Sequence, residues 1–224
     1  MELTVLGKYG PYAAVKGGTS SYLVRGEKDT IVLDFGSGAL ARLSEVADIS
    51  EVRAIALTHL HYDHISDLYT LSYLLDSQRR KLDLIMPCDG SAVEQSLRAL
   101  SSFNIIPVSG ETKVGEFNLK FTKLYHAVTS YSIAVSAGGK TLFYSGDTKY
   151  CPELLNAARG ADLMLLDCGR AEEAAALNMS LSDGEKLADI LGLPAIITHI
   201  NPALTYNVKS KYAQIAEELK TYKI

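Results

Sequence analysis

A chain of 224 residues, 47% of them hydrophobic and 21% charged, is globular in composition and long enough to bury a full core without disulfides or a partner. A formal net charge of −4 gives no overall drive toward a polyanion, and the one short basic run, Arg79-Arg80-Lys81, reads as the solvated end of a helix rather than a nucleic-acid contact. No stretch is apolar enough to span a membrane and no signal peptide is visible at Met1-Glu2-Leu3-Thr4, so a cytoplasmic protein without membrane association is expected. The three cysteines, Cys88, Cys151 and Cys168, form no CxxC pair and read as small core residues.

Taken in order, short strands are predicted at Leu3–Leu6, Ser21–Arg25 and Thr30–Asp34, separated by Gly17-Gly18 and closed by Gly36-Ser37-Gly38. A helix follows near Leu40–Ala47, and Ala54–Thr58 is an apolar strand that runs straight into a histidine-rich segment. The spacing of Leu68, Leu71, Leu74 and Leu75 predicts a helix over Ile65–Leu75; a buried strand at Leu82–Met86 and a helix at Ala92–Ser101 come next. From Lys113 to Tyr144 the pattern is strand-like, with turns expected at Asn118 and Gly138-Gly139. The last third alternates: helix Pro152–Ala158, strand Asp162–Asp167, helix Leu181–Leu191, strand Ala195–Thr198 and helix Lys209–Tyr222. With no repeat, low-complexity run or linker, one domain over residues 1–224 is the expectation. Strands followed by βα alternation point to an α/β fold of two mixed sheets with helices on their outer faces.

The five histidines carry the chemistry. Three lie in Thr58-His59-Leu60-His61-Tyr62-Asp63-His64; the others are His126, and His199 in Ile197-Thr198-His199. Asp147, in Ser145-Gly146-Asp147-Thr148, falls between those two. Imidazole and carboxylate suit borderline divalent ions such as Zn²⁺. His59 and His61 leave a strand two residues apart, so in extended geometry both side chains can face one ion. Asp63 and His64 are adjacent and diverge, which favours a second ion for them. His126, Asp147 and His199 are then available to complete the two shells, with Asp147 the best bridge because a carboxylate has one oxygen for each ion. Two such ions would share a water, lower its pKa toward ~7 and act as Lewis acids. A lone His-x-His says little; the longer run directly after an apolar strand, with three further ligands at strand ends, is far more specific.

On these residues the chain resembles the metallo-β-lactamase superfamily. Thr58–His64 is similar to its signature run, and His126, Asp147 and His199 follow in its ligand order. Gly17-Gly18-Thr19-Ser20-Ser21-Tyr22 and Val32-Leu33-Asp34-Phe35-Gly36-Ser37-Gly38 resemble the ribonuclease Z-like branch, which includes small phosphodiesterases. The resemblance implies a four-layer αββα sandwich with two divalent ions, most often zinc, although manganese or iron would suit the same ligands. It puts His59, His61 and His126 on the first ion, Asp63, His64 and His199 on the second, and Asp147 between them. It makes Asp34 a buried carboxylate supporting the ligand loop; a strand-end residue binding nearby backbone is the equal alternative. It also implies a homodimer, with no interface visible in the sequence itself.

Two departures bear on substrate. Only Ala127–Gly146 separates the third histidine motif from Asp147, which leaves no room for a long tRNA-binding arm, so tRNA is not expected as a substrate. Asn178 stands where that branch carries a histidine that touches the phosphate, and asparagine donates a hydrogen bond but shuttles no proton. Its plainer reading is a residue just before the helix Leu181–Leu191, with Ser180 or Ser182 the cap. Asp63 and Asn178 are the candidate catalytic residues, while Lys149, Tyr125 and Tyr150 are better placed on the surface or in the core. The leading expectation is a phosphodiesterase acting on a small diester, a cyclic nucleotide or a related diester, through a metal-bridging hydroxide. Thioester or lactone hydrolysis with the same site is the alternative, and a non-catalytic metal-binding protein comes third.

Overall fold

The computed structural model describes residues 1–170 and 177–224. Among these residues the strands form two seven-stranded sheets that share one plan. In the first sheet β1 (Glu2–Gly7), β2 (Ser21–Arg25) and β3 (Thr30–Phe35) run antiparallel; β4 (Val52–Ala56), β5 (Leu82–Met86) and β6 (Phe103–Pro107) then continue parallel to β3. In the second, β7 (Glu111–Val114), β8 (Phe117–Leu124), β9 (Ser130–Ala137) and β10 (Lys140–Tyr144) form an antiparallel meander. There β11 (Leu163–Asp167), β12 (Ala195–Thr198) and β13 (Ala213–Ile215) extend it in parallel.

Strand alternation explains the layers. Ile31 and Leu33 of β3 join Tyr22, Phe117, Ile133, Tyr144 and Leu165 in a core between the sheets, while Val32 faces the other way. That outer face is covered by α1 (Ala39–Val46), α3 (Asp67–Ser77) and α4 (Ala92–Arg98), with the single-turn α2 (Tyr62–Ile65) leading into α3. The second sheet's outer face packs against α5 (Pro152–Ala158) and α6 (Leu181–Leu191). The result is the expected αββα order. None of these helices is long and apolar enough to cross a membrane.

Most local signals act as the sequence suggests. Ser180 is the cap of α6: its hydroxyl accepts from Asp183 N, and the Asp183 side chain accepts from Ser180 N. Gly192, at φ 66°, ends the helix. The segment between His126 and Asp147 holds the β9–β10 pair. Of the cysteines, Cys151 and Cys168 are buried, but Cys88 is exposed in the loop after β5. Arg80, in the basic run, turns inward and donates to the carbonyls of Ile49 (2.5 Å) and Val52 (2.6 Å), tying the end of α3 to a 3-10 turn at Ile49–Glu51.

Three elements differ from expectation. The turn expected at Asn118 lies earlier, at Gly115 with φ 55°, and Asn118 sits within β8. The helix expected to reach Ser101 stops at Arg98, because the chain turns to supply β6 to the edge of the first sheet. The largest change is at Lys209–Tyr222, where the helical pattern gives way to β13 and β14 (Thr221–Lys223). β13 adds to β12 in parallel (Ile196↔Gln214), and β14 pairs antiparallel with β1 (Leu3↔Tyr222). A short isolated helix is marginal in water, whereas two open sheet edges each offer a row of unpaired backbone groups. Tertiary pairing wins over local propensity.

Tyr222 is buried against the inter-sheet core and its hydroxyl accepts from Glu217 N at 3.0 Å. Tyr222→Ala is expected to cost about 3 kcal/mol, read as a lowered midpoint in urea denaturation with little change in slope.

Candidate metal centre

The candidate ligands lie where strands of both sheets end. His59 and His61 follow β4; Asp63 and His64 stand on α2; His126 follows β8, Asp147 follows β10 and His199 follows β12. Thr58 joins the two sheets at this edge, since its N–H donates to Asp34 Oδ1 (2.8 Å) and its carbonyl accepts from Tyr131 N of β9 (3.0 Å). Two glycines allow the side chains to close in. A Cβ on Gly36 would run into the Asp63 carbonyl, and one on Gly10 would run into the His199 ring.

For His59, His64 and His126, hydrogen bonds settle which nitrogen faces inward. Thr58 Oγ1 donates its proton to Asp34 Oδ2 (2.9 Å), so it accepts from His59 Nδ1 (3.0 Å) and leaves His59 Nε2 with a lone pair. His64 Nδ1 donates to Asp34 Oδ2 (2.7 Å), and His126 Nδ1 donates to the Leu177 carbonyl (3.2 Å). Both rings therefore present Nε2. His61 Nδ1 lies 3.0 Å from His59 Nε2 and 3.1 Å from His126 Nε2, with Asp147 Oδ2 3.5 Å from His126 Nε2. Nearby, His199 Nε2 lies 3.0 Å from Asp63 Oδ2 and 3.4 Å from Asp147 Oδ1, while His64 Nε2 is 3.7 Å from each of those oxygens. The side chains thus form two groups, His59/His61/His126/Asp147 and Asp63/His64/His199, and Asp147 turns one oxygen toward each.

A buried chain of polar groups stands behind them. Asp34 is fully buried at the end of β3, and its left-handed backbone (φ 53°) breaks strand alternation there. Phe35 consequently packs in the outer core with Val32, while the Asp34 carboxylate meets His64, Thr58 and Tyr144. Asp34 thus accepts both from the Thr58 backbone and from the His64 ring. Tyr144 Oη lies 2.8 Å from Asp34 Oδ2 and 3.0 Å from Asp167 Oδ2, yet a phenol has one proton to give. Burial pushes the Asp167 carboxyl up to about 8, against the pull of His199, so Asp167 keeps a proton at neutral pH and closes the second contact.

Charge is finely divided across the cluster. Burial and the neighbouring imidazoles hold His59 well below the usual histidine range, which keeps its lone pair free. Burial opposes charge on His199 as well, but Asp147 and Asp63 outweigh it and raise that ring to about 9. For His64, burial is likewise overcome by Asp63 and Asp34. Burial works against the Asp63 carboxylate, yet His64 and His199 hold it below the ordinary range. Two of the buried atoms aimed into the second group, His64 Nε2 and Asp147 Oδ1, have no hydrogen-bond partner among the described residues. Orphaned polar atoms of this kind are costly, and converging lone pairs repel. A divalent cation relieves both, so the donor set fits metal ions.

The cluster forms the floor of a cleft of about 390 Å³. Asn178 lines it and donates through Nδ2 to Asp147 Oδ2 at 3.3 Å, beside the group rather than away from it. Lys149 lies over the Tyr125 ring (4.5 Å), and Tyr150 stacks under Lys186 (4.7 Å); neither pair lines the cleft. Sequence reasoning passed over Tyr144 and Asp167, whose polar ends are reached only through the paired sheets, and over Arg170 and Asn201, which share the cleft wall. Position just past a strand end was the available signal for Arg170 and Asn201.

The family profile described as the beta-lactamase superfamily domain matches residues 30–202. The chain belongs to the metallo-β-lactamase superfamily. A probable metallo-hydrolase of Bacillus subtilis, YhfI, is 27% identical over 181 residues, covering 75% of this chain and 72% of that protein. The crystal structure of YhfI superposes with a TM-score of 0.89 at 22% identity, covering 99% of this chain and 98% of the other. The short form of human tRNase Z gives 0.81 at 17% identity over 100% and 99% of the two chains. A diphosphatase from the PhnP family gives the same score and identity over 99% and 96%. Family and cluster together make this chain a metal-dependent hydrolase that binds divalent ions.

Because Asp34 fixes His64 from behind, Asp34→Asn is expected to lower metal affinity about 10- to 100-fold in competition with a chromogenic chelator, with secondary structure retained by circular dichroism. Metal must displace the protons that His64 and His199 carry at pH 7, so uptake should release about two protons and tighten as pH rises toward 9. Calorimetry in buffers of different ionisation enthalpy would count them.

Proposed function

We propose that the protein is a dinuclear metal-dependent phosphodiesterase acting on a small diester. The observation that carries this reading is the Asp147 carboxylate: one oxygen faces the His126 group and the other faces His64 and His199, the arrangement needed to serve two ions at once. Zinc suits a set of five imidazoles and two carboxylates, and manganese or iron would be accepted by the same atoms. His59, His61 and His126 would hold one ion, Asp63, His64 and His199 the other, and Asp147 both. Bound there, divalent ions supply Lewis acidity toward a phosphoryl oxygen and a water acidic enough to react at neutral pH.

The chain's own residues do the rest. Asp34 and Thr58 lock the rings of His64 and His59 so that the ligand atoms need no rearrangement. Asn178 holds Asp147 and presents an amide to the cleft, where it can donate to a substrate oxygen but cannot protonate a leaving group. The site therefore suits diesters whose leaving group departs without help from that position. Names among the similar proteins support phosphorus chemistry: ribonuclease Z of Mycolicibacterium gilvum is 39% identical over 69 residues (30% of this chain, 24% of that one), beside the tRNase Z and diphosphatase structures above. The β9–β10 pair leaves no inserted arm between His126 and Asp147, which favours a small substrate over tRNA.

Elemental analysis of protein purified without chelators should find about two metal ions per chain. Bis(p-nitrophenyl) phosphate should be hydrolysed, and Asp63→Ala should abolish turnover while leaving the fold intact by circular dichroism. A clear preference for thioesters or lactones over diesters in the same assay would overturn the phosphodiesterase assignment in favour of acyl hydrolysis.

A further inference from the structure

The wall of the cleft carries a feature that the hydrolytic chemistry leaves unused. Arg170 lies three residues beyond the end of β11. Its backbone is held by a parallel bridge to Ser180 and by its carbonyl, which accepts from Leu181 N at 2.8 Å. The residue before it, Gly169, packs so close to His199 that a Cβ there would stand 3.1 Å from Nδ1. Arg170 therefore springs from backbone fixed against a candidate ligand, and its exposed side chain lines the same cleft.

Asn201, two residues past His199, lines that wall too. Its side-chain oxygen accepts from Tyr12 Oη (3.2 Å) and Ala203 N (2.9 Å), which orients the amide and leaves its NH₂ as the outward donor. Its backbone N–H donates to Tyr206 Oη at 2.9 Å. Arg170 and Asn201 follow the adjacent parallel strands β11 and β12 and line one cleft. Pro11 and Leu204 add apolar surface to the cleft.

We propose that Arg170 and Asn201 form a subsite for a second phosphate on the substrate, separate from the diester that reacts at the histidine–aspartate cluster. This rests on the phosphodiesterase reading above. A guanidinium fork and an amide NH₂ together offer more than two donors, which matches the several oxygens of a tetrahedral phosphate better than the two of a carboxylate. The pair stands on the cleft wall beyond His199, where a group attached to the reacting diester would lie. The substrate class is then a diester carrying a terminal phosphate, such as a phosphorylated nucleotide derivative, with Pro11 and Leu204 against its less polar part.

Two substrates that differ by one phosphate test this: the 5′-(p-nitrophenyl phosphate) diesters of thymidine and of thymidine 3′-phosphate. The metal-loaded wild type should show the lower KM for the 3′-phosphorylated compound. Arg170→Ala should raise that KM about tenfold, leave kcat within about twofold, and leave the unphosphorylated substrate unaffected, as expected for loss of one charge-assisted contact made equally in ground and transition states. Arg170→Lys should restore part of the loss, and Asn201→Asp should weaken the same substrate selectively. Equal treatment of both substrates by wild type, or equal impairment of both by Arg170→Ala, would overturn the subsite. If neither diester is cleaved, the phosphodiesterase reading fails, and calorimetry judges the subsite alone. Tighter binding of thymidine 3′,5′-bisphosphate than of thymidine 5′-monophosphate, lost in Arg170→Ala, supports it; equal binding of the two overturns it.

Discussion

One buried carboxylate organises the molecule. Asp34 accepts hydrogen bonds from the Thr58 backbone and hydroxyl, from His64 and from Tyr144, and so joins β3, the histidine-rich loop and the second sheet at a single point. Each partner gains a fixed orientation from it. Thr58 must give its proton to Asp34, which makes it an acceptor for His59; His64 must give Nδ1, which turns Nε2 inward. Tyr144 reaches across the core and passes the constraint on to Asp167. A carboxylate this deeply buried is tolerable because four hydrogen bonds reach its two oxygens.

The cluster in front of Asp34 is built on the opposite principle. Its atoms are placed where they satisfy one another poorly: nitrogen faces nitrogen at 3.0 and 3.1 Å, and carboxylate oxygens lie within 4 Å of His64 and His126, whose other nitrogens are committed elsewhere. The well-satisfied shell holds the poorly satisfied one in place. Rigid support behind ligands that lack partners of their own is what lets such a site bind cations without first rearranging. The cleft above it then sets what else can enter, through Asn178 at Asp147 and through the wall formed by Arg170 and Asn201.

Much of this was legible in the sequence, for reasons that differ by residue. The run from His59 to His64 reads clearly because ligand spacing is a local property and the preceding strand is strongly apolar. Helix α6 and strand β12 could be bounded because Ser180, Gly192 and Pro194 punctuate them. By contrast, Lys209–Tyr222 carries a helical pattern that is overruled by two sheet edges lying far away in sequence. Tyr144 and Asp167 look like ordinary strand ends; their meeting with Asp34 exists only once the sheets are paired. The left-handed backbone of Asp34, a residue with no glycine-like freedom, has no signature in composition or periodicity either. Local chemistry was readable, and long-range geometry was not.

The C-terminal segment closes both sheets, giving β13 to one and β14 to the other, and Thr4 and Thr221 meet through their hydroxyls at 2.8 Å across 217 residues of chain. Contacts of such separation are slow to form, and a chain made in one direction cannot make them early. During synthesis β1 must therefore wait with one edge bare until β14 emerges, and His199 comes well after the His59–His64 run. A nascent chain can display the His59–His64 run long before it can complete the cluster. The ability to hold metal tightly thus comes only once His199 and the strands that seal the fold have been made.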